Sequence, residues 1–251
     1  MIRKQFLAET NSTNSWLMTQ ARRMRASGDA LPDLYAVYTG FQSAGRGAGT
    51  NTWHSSRGLN ILTSIYFETG LAAADQFVFN LWFATSTRRF LAKYVPEVLI
   101  KWPNDLYVRD RKLAGDLTEH SVSGNRLDFT VAGIGINVNE EVFPTGIPNP
   151  TSLFLETGQH YDADALLDEY LAVLHDRRPL LSLDHAATLR DEYLSHLYRR
   201  EEPNPYLIGG QRVTGIIRDI DRFGRLVLEL SDGTRETYGF KEIAYCLNDE
   251  C

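Results

Sequence analysis

Cysteine is nearly absent: Cys246 and Cys251 are the only two in 251 residues. Lying five positions apart with no second pair, they form neither a disulfide framework nor a zinc-ligand spacing, and they read as free thiols in a reducing compartment. Long apolar runs are missing as well. Phe77 to Phe83 is interrupted by Asn80 and followed by Arg88 and Arg89, which is not the pattern of a membrane span. Met1 to Leu7 lacks the apolar core of a signal peptide, so a cytoplasmic protein is expected. No lysine- or arginine-rich run stands out, and 26 basic against 32 acidic residues leave a formal charge of −6. That balance argues against nucleic acid as the main partner, because binding a phosphate backbone needs a basic face. There is no Gly-Lys-Ser/Thr tripeptide, which excludes a Walker A loop. Internal repeats and low-complexity segments are also lacking.

What is present fits a folded chain. Hydrophobic residues make up 43% and charged residues 23%, enough to bury a core without disulfide or metal staples. Phe6 to Ala8 reads as a short strand leading into Asn11-Ser12-Thr13-Asn14. Any of these four can cap a helix that carries Leu17, Met18, Ala21 and Met24 at helical spacing. Leu34 to Val37 and Leu59 to Phe67 read as strands, the second with apolar and polar residues alternating. Residues 73–93 give the strongest helix pattern, with Phe77, Leu81, Ala84 and Leu91 on one face. Phe79, Trp82 and Phe83 fall outside that stripe, so burial on several sides is expected. Strands follow at Val98 to Trp102, Leu113 to Thr118 and Leu127 to Val138, then helices at about 162–177 and 183–199.

Early strands and late helices around one extended sheet imply an α+β fold with a mixed sheet. Glu201-Glu202-Pro203-Asn204-Pro205 reads as a linker, giving a large domain of residues 1–200 and a small one of residues 205–251. Val213 to Ile220, Leu226 to Leu230 and Arg235 to Tyr238 read as short strands of an SH3-sized barrel, with Ser231-Asp232-Gly233 as a hairpin turn. An extended sheet edge near Lys101 to Val108 could pair with a second copy, so a homodimer is one expectation.

Three segments carry chemistry. In Gln42 to Trp53, glycines at 45, 47 and 49 can bring backbone N–H groups close to a ligand. Arg46, set between two of them, is a permanently charged fork suited to carboxylate or phosphate oxygens. A flexible surface loop would share that composition. Thr50 stands where a dinucleotide fingerprint needs glycine. The second segment is Lys101-Trp102-Pro103-Asn104-Asp105 with Arg111-Lys112-Leu113-Ala114-Gly115, where a lysine in a strand-like run is either a solvated strand-face residue or a functional one. The third is Gly133-Ile134-Gly135-Ile136-Asn137, whose glycines admit a ligand or simply pack, and whose Asn137 offers an amide.

Taken in order, Ser12-Thr13-Asn14, Gln42 with Gly45-Arg46-Gly47, Trp53, Lys101 to Asp105, Lys112 to Gly115 and Gly133 to Asn137 resemble the biotin–protein ligase family over nearly the whole chain. Thr151-Ser152-Leu153 and the C-terminal barrel fit the same plan. The resemblance implies a mixed-sheet catalytic domain of the biotin/lipoate ligase type and a C-terminal SH3-like domain. It implies ATP with Mg²⁺, biotin as substrate, a biotinyl-adenylate intermediate, and transfer to a lysine of a biotin carboxyl carrier domain. That is the activity of a biotin–[acetyl-CoA-carboxylase] ligase, with no DNA or membrane partner and no metal-ligating side chain assigned.

By the same resemblance, Ser12, Thr13 and Gln42 would hydrogen-bond the ureido ring, with Asn14, Gly47, Ala48 and Gly115 also at the biotin site. Arg46 and the backbone after it would close over the biotin carboxylate and the α-phosphate, and Lys112 would reach both. Trp53, Asn104 and Asn137 would frame the nucleotide. Asp105 would sit where the acceptor amine arrives. A free lysine titrates near ~10.4 and must lose a proton to attack, so Asp105 is the candidate base.

Two departures stand out. Family members commonly carry further arginines after Gly-Arg-Gly, where this chain has Ala48-Gly49-Thr50-Asn51, and a looser grip on the adenylate is expected. Asp116 replaces the usual apolar residue after Gly115, and a carboxylate beside an anionic intermediate would repel it unless it faces away or meets a cation. Only eleven residues precede Ser12, too few for the helix-turn-helix module of the repressor members, so the ligase alone is expected. Two alternatives stay open: a lipoate–protein ligase, whose arginine-pair and triple-glycine signature is absent, and a biotin-binding sensor with weakened catalysis.

Overall fold

The computed structural model describes residues 2–247. Seven strands form the larger sheet: β1 (Lys4–Leu7), β2 (Tyr35–Thr39), β3 (Ile61–Phe67), β4 (Val98–Lys101), β5 (Asp105–Val108), β6 (Arg111–Ser123) and β7 (Arg126–Ile136). Their lateral order is β1-β2-β3-β7-β6-β5-β4. β1 and β2 run parallel and every other neighbouring pair is antiparallel, so the mixed sheet and the α+β architecture are as expected. Five helices accompany them: α1 (Thr13–Ala26), α2 (Gln76–Leu91), α3 (Leu153–Thr157), α4 (Ala163–Arg177) and α5 (Ala186–Ser195).

The helices cover the two faces of the sheet unequally. Ser12 caps α1, its hydroxyl oxygen accepting the Ser15 N–H at 3.4 Å. Leu17, Met18 and Ala21 of α1 pack on Val37, Tyr66, Phe129 and Val131. The opposite face carries α2, α4 and α5 over the main core. There α2 is buried on several sides, with Phe79, Trp82, Phe83 and Phe90 all inaccessible, because α4 and α5 flank it while it lies on the sheet. α1 covers only part of its own face, and the remaining area is the floor of a cleft.

Five antiparallel strands make the second sheet: β8 (Pro203–Ile208), β9 (Gln211–Ile220), β10 (Leu226–Leu230), β11 (Arg235–Tyr238) and β12 (Ile243–Tyr245), in the order β11-β10-β9-β8-β12. It is held to the first part of the chain by Trp102, whose indole N–H donates to the Gly224 carbonyl at 2.8 Å, and by Arg199, which donates to the Cys246 carbonyl at 2.8 Å.

Several expectations are corrected. Pro203 and Pro205 do not lie in a linker but in β8, paired with β9. On the other side of β8, β12 reaches only Tyr206 to Ile208, so neither proline has to supply an N–H there. The supposed free edge at Lys101 to Val108 is not free. β5 is internal, and β4 is covered by residues 196–198: the Ile100 N–H donates to the His196 carbonyl, and the Tyr198 N–H to the Ile100 carbonyl, both at 2.9 Å. β3 is buried along its whole length despite its alternating pattern, since α1 and α4 cover its two faces. The last helix is shorter than 183–199: it runs from Ala186 to Ser195, after which residues 196–198 hydrogen-bond to Ile100 of β4 instead of continuing the helix. Cys246 is disulfide-bonded rather than a free thiol; Cys251 lies outside the described residues. Among the described residues, no helix is long and apolar enough to cross a membrane.

Candidate active site

Every residue given a catalytic or binding role from the sequence, except Asn137, lines one cleft on the α1 side of the large sheet. It is open at its mouth, with a cavity volume of about 230 Å³.

One end is polar. Gln42 Oε1 accepts both the Thr13 backbone N–H (2.7 Å) and the Thr13 hydroxyl (3.1 Å). Thr13 has a single hydroxyl hydrogen, already given to Gln42, so Ser64 is the donor in the 2.8 Å contact between the two hydroxyls. Asn14 donates its amide to Glu119 on β6. Glu119 also takes Arg46 in a fork, with Nη1–Oε2 and Nη2–Oε1 both 3.1 Å. Arg46 Nη1 donates to the Ser15 hydroxyl at 3.1 Å as well. The loop that bears Arg46 is a short hairpin, tied by Gly47 N–H to the Asn51 carbonyl (2.8 Å) and Trp53 N–H to the Gly45 carbonyl (2.9 Å).

The other end is built from the β4–β5 hairpin and the start of β6. Lys101 and Asp105 face each other as its last pair, with Trp102-Pro103-Asn104 as the turn. Lys112 Nζ lies 2.7 Å from Asp105 Oδ1 and 5.7 Å from the Trp53 ring centre. The Trp53 ring lies against Gly135 of β7, and any Cβ at that position would overlap the indole. Lys101 sits between the Tyr107 and Tyr245 rings at 5.1 and 4.6 Å. Burial holds its ammonium below the ordinary lysine range, opposed by Asp105 and reinforced by Lys112 and Arg199.

Asp116 borders the cleft but is itself almost fully buried. It pairs across the strands with Ile134 of the main core, and strand alternation puts it on the face opposite Glu119. Asn104 donates to its carboxyl. Burial raises the Asp116 pKa well above the usual carboxylate value, Asp105 adds to the rise, and Lys112 and Asn104 oppose it. A buried acid with a raised pKa carries its proton more readily than an exposed one.

Asn137 is the exception among the expected residues: it is buried, with its amide donating to the Thr151 carbonyl at 2.9 Å. Glu119, Ser64, Phe240 and Lys241 are among the lining or contacting groups that were not singled out from the sequence. Glu119 and Ser64 are visible only as strand residues on the same face as the motif glycines. Phe240 lines the cleft from the connection between β11 and β12, and Lys241 reaches Gly49 of the hairpin from there; nothing in the sequence marks either contact.

Residues 12–137 match the model of the biotin/lipoate A/B protein ligase family, and residues 206–241 that of the biotin protein ligase C-terminal domain. The chain belongs to the biotin/lipoate A/B protein ligase family. Among its relatives is the bifunctional ligase/repressor BirA of Escherichia coli, 33% identical over 87% of this chain and 67% of the relative. The biotin–[acetyl-CoA-carboxylase] ligases of Mycobacterium tuberculosis (32%, 91% and 84%) and Paracoccus denitrificans (30%, 88% and 92%) match over more of their own length. The family fold is also that of the Aquifex aeolicus biotin protein ligase solved with biotin and ATP, with a TM-score of 0.74 at 22% identity over 97% of this chain and 98% of that one.

Proposed function

We propose that the chain is an ATP-dependent biotin–protein ligase that forms biotinyl-5′-AMP and passes the biotinyl group to a lysine of a biotin carboxyl carrier domain. The observation that carries the reading is the cleft itself, with a hydrogen-bonding end at Thr13, Asn14, Gln42 and Ser64 and a cationic end at Lys112 beside Trp53. A cyclic urea fits the first and a nucleotide the second. The relatives named as biotin ligases align across both ends.

In the first step a biotin carboxylate oxygen bonds to the α-phosphorus of ATP, and the bond to the β-phosphate bridge breaks to release pyrophosphate. Two anions must meet, so fixed cations are needed where charge gathers. Lys112 and Arg46 are those cations, and Mg²⁺ enters as part of the nucleotide substrate. Both side chains already hold carboxylate partners, Asp105 and Glu119, so substrate oxygens join or replace these pairs. In the second step the acceptor nitrogen bonds to the acyl carbon, the bond to AMP breaks, and a proton leaves the amine. Asp105, at 2.7 Å from Lys112, is the residue assigned to receive or orient that amine. The same reading assigns residues 1–200 to the ligase unit and 205–251 to the C-terminal unit, whose first strand begins two residues earlier.

The test is biotin-dependent exchange of labelled pyrophosphate into ATP, with lipoate as competitor. Exchange that needs biotin and is indifferent to lipoate supports the reading; exchange driven by lipoate replaces it with a lipoate ligase. Biotin binding without exchange would make the chain a sensor.

A further inference from the structure

Glu119 has no role in the chemistry above, yet it touches both halves of the polar end. It takes the Asn14 amide on one side and both Arg46 Nη groups on the other. A carboxylate only accepts hydrogen bonds, whereas a primary amide has one donor side and one acceptor side. With Asn14 Nδ2 committed to Glu119, its Oδ1 is turned the other way. That oxygen is buried and, among the described residues, has no partner. It stands beside Ser64 Oγ above Gly133, where a Cβ would lie 2.9 and 3.1 Å from the two oxygens. The missing side chain therefore lets Asn14 and Ser64 pack directly against the strand at the floor of the cleft.

Ser64 completes the pattern. Its one hydroxyl hydrogen goes to Thr13, so it too presents lone pairs. At Asn14 Oδ1 and Ser64 Oγ this corner presents acceptors, and a buried acceptor left unpaired is costly. A ligand seated there must bring N–H groups. A cyclic urea has two; a dithiolane ring has none.

We propose that Glu119 is a positioning residue that fixes biotin specificity: by pinning the Asn14 amide it holds Oδ1 inward as the acceptor for a ureido N–H, while its pair with Arg46 keeps the hairpin over the same corner. The inference rests on the biotin reading. It adds a residue that selects the ring end of the substrate rather than its carboxylate. In Glu119→Gln the amide at 119 can donate as well as accept, so Asn14 is free to turn over, and Arg46 loses its charged partner.

The experiment is calorimetric binding of biotin and of its cyclic carbamate analogue, in which ring oxygen replaces one N–H, to the full chain, to Glu119→Gln, to Asn14→Ala and to the double variant. The full chain should prefer biotin by about 100-fold or more, as expected of a site built around an N–H that the analogue lacks. Glu119→Gln should reduce that preference to under about tenfold, and adding Glu119→Gln to Asn14→Ala should change it no further. Equal weakening of both ligands, or additive losses, would overturn the proposal. Should Glu119→Gln not fold, the preference of the unaltered chain and its loss in Asn14→Ala still decide. Biotin binding with no preference over the carbamate defeats this inference alone, whereas no biotin binding defeats the function reading and this inference with it.

Discussion

Lys112 and Asp105 meet at 2.7 Å in a space that exists because residue 115 has no side chain. A Cβ on Gly115 would lie 2.8 Å from Lys112 Cε, 2.9 Å from its Nζ and 3.1 Å from Asp105 Oδ1. Two residues on neighbouring strands thus hold an ammonium over a glycine floor, between the hydrogen-bonding end of the cleft and the Trp53 ring. The pair is only partly covered, with side chains 30% and 23% exposed, so incoming phosphate and carboxylate oxygens can reach it.

Gly115→Ala should therefore damage the site without damaging the fold. The obstructing atoms are mostly the mobile end of a lysine, so stability should change by no more than about 1 kcal/mol. Moving Lys112 by about an ångström should slow biotinyl-adenylate formation roughly 10- to 100-fold. Single-turnover kinetics and a denaturant titration check the two halves. Equal rates in the two proteins would contradict the placement of Lys112.

The hairpin carries Ala48 in place of a further arginine, and its remaining cation, Arg46, is tied to Glu119. Ala48→Arg should slow release of biotinyl-adenylate by about tenfold, the worth of one added charge-assisted contact of about 1.4 kcal/mol. Stopped-flow release measures it. Release from the unaltered chain already as slow as from the variant would show that Ala48 loosens nothing.

Asp116 gives a pH dependence whose sign is fixed. Its folded pKa is raised, chiefly by burial, so its contribution to stability is fully present below the unfolded carboxylate value and is lost as pH rises through the folded value. Asp116→Asn removes that loss and can still accept from Asn104. The variant should gain on the unaltered chain as pH rises from 5 to 9, with the two drawing together at the acid end. Parallel stability curves across that range would mean that Asp116 is not a raised acid.

Much of this was legible in the sequence because the motifs are local. Lys101 to Asp105 is one hairpin, Lys112 to Gly115 is the start of the next strand, and Gly135 lies across from Gly115 and Gly133 from Leu117. Spacing along the chain therefore maps directly onto spacing in the sheet. What escaped was set by tertiary contact. Glu119 looks like any polar residue in a strand until α1 and the hairpin are laid over it. Phe240 comes from the connection between β11 and β12, far along the chain. Pro203 and Pro205 read as a linker because the shortness of β12, which spares them a hydrogen bond, has no signature in the prolines themselves. Asn137 carries an amide in a matching motif, and its Nδ2 donates to the Thr151 carbonyl, a contact that the motif does not reveal.

The most direct test of the account is the intact mass of a biotin carboxyl carrier domain after incubation with this protein, biotin and Mg-ATP, with Lys112→Ala alongside. The account predicts the gain of one biotinyl group with the unaltered chain and a loss of that gain with the variant. No gain with the unaltered chain, or the same gain without Lys112, would contradict it.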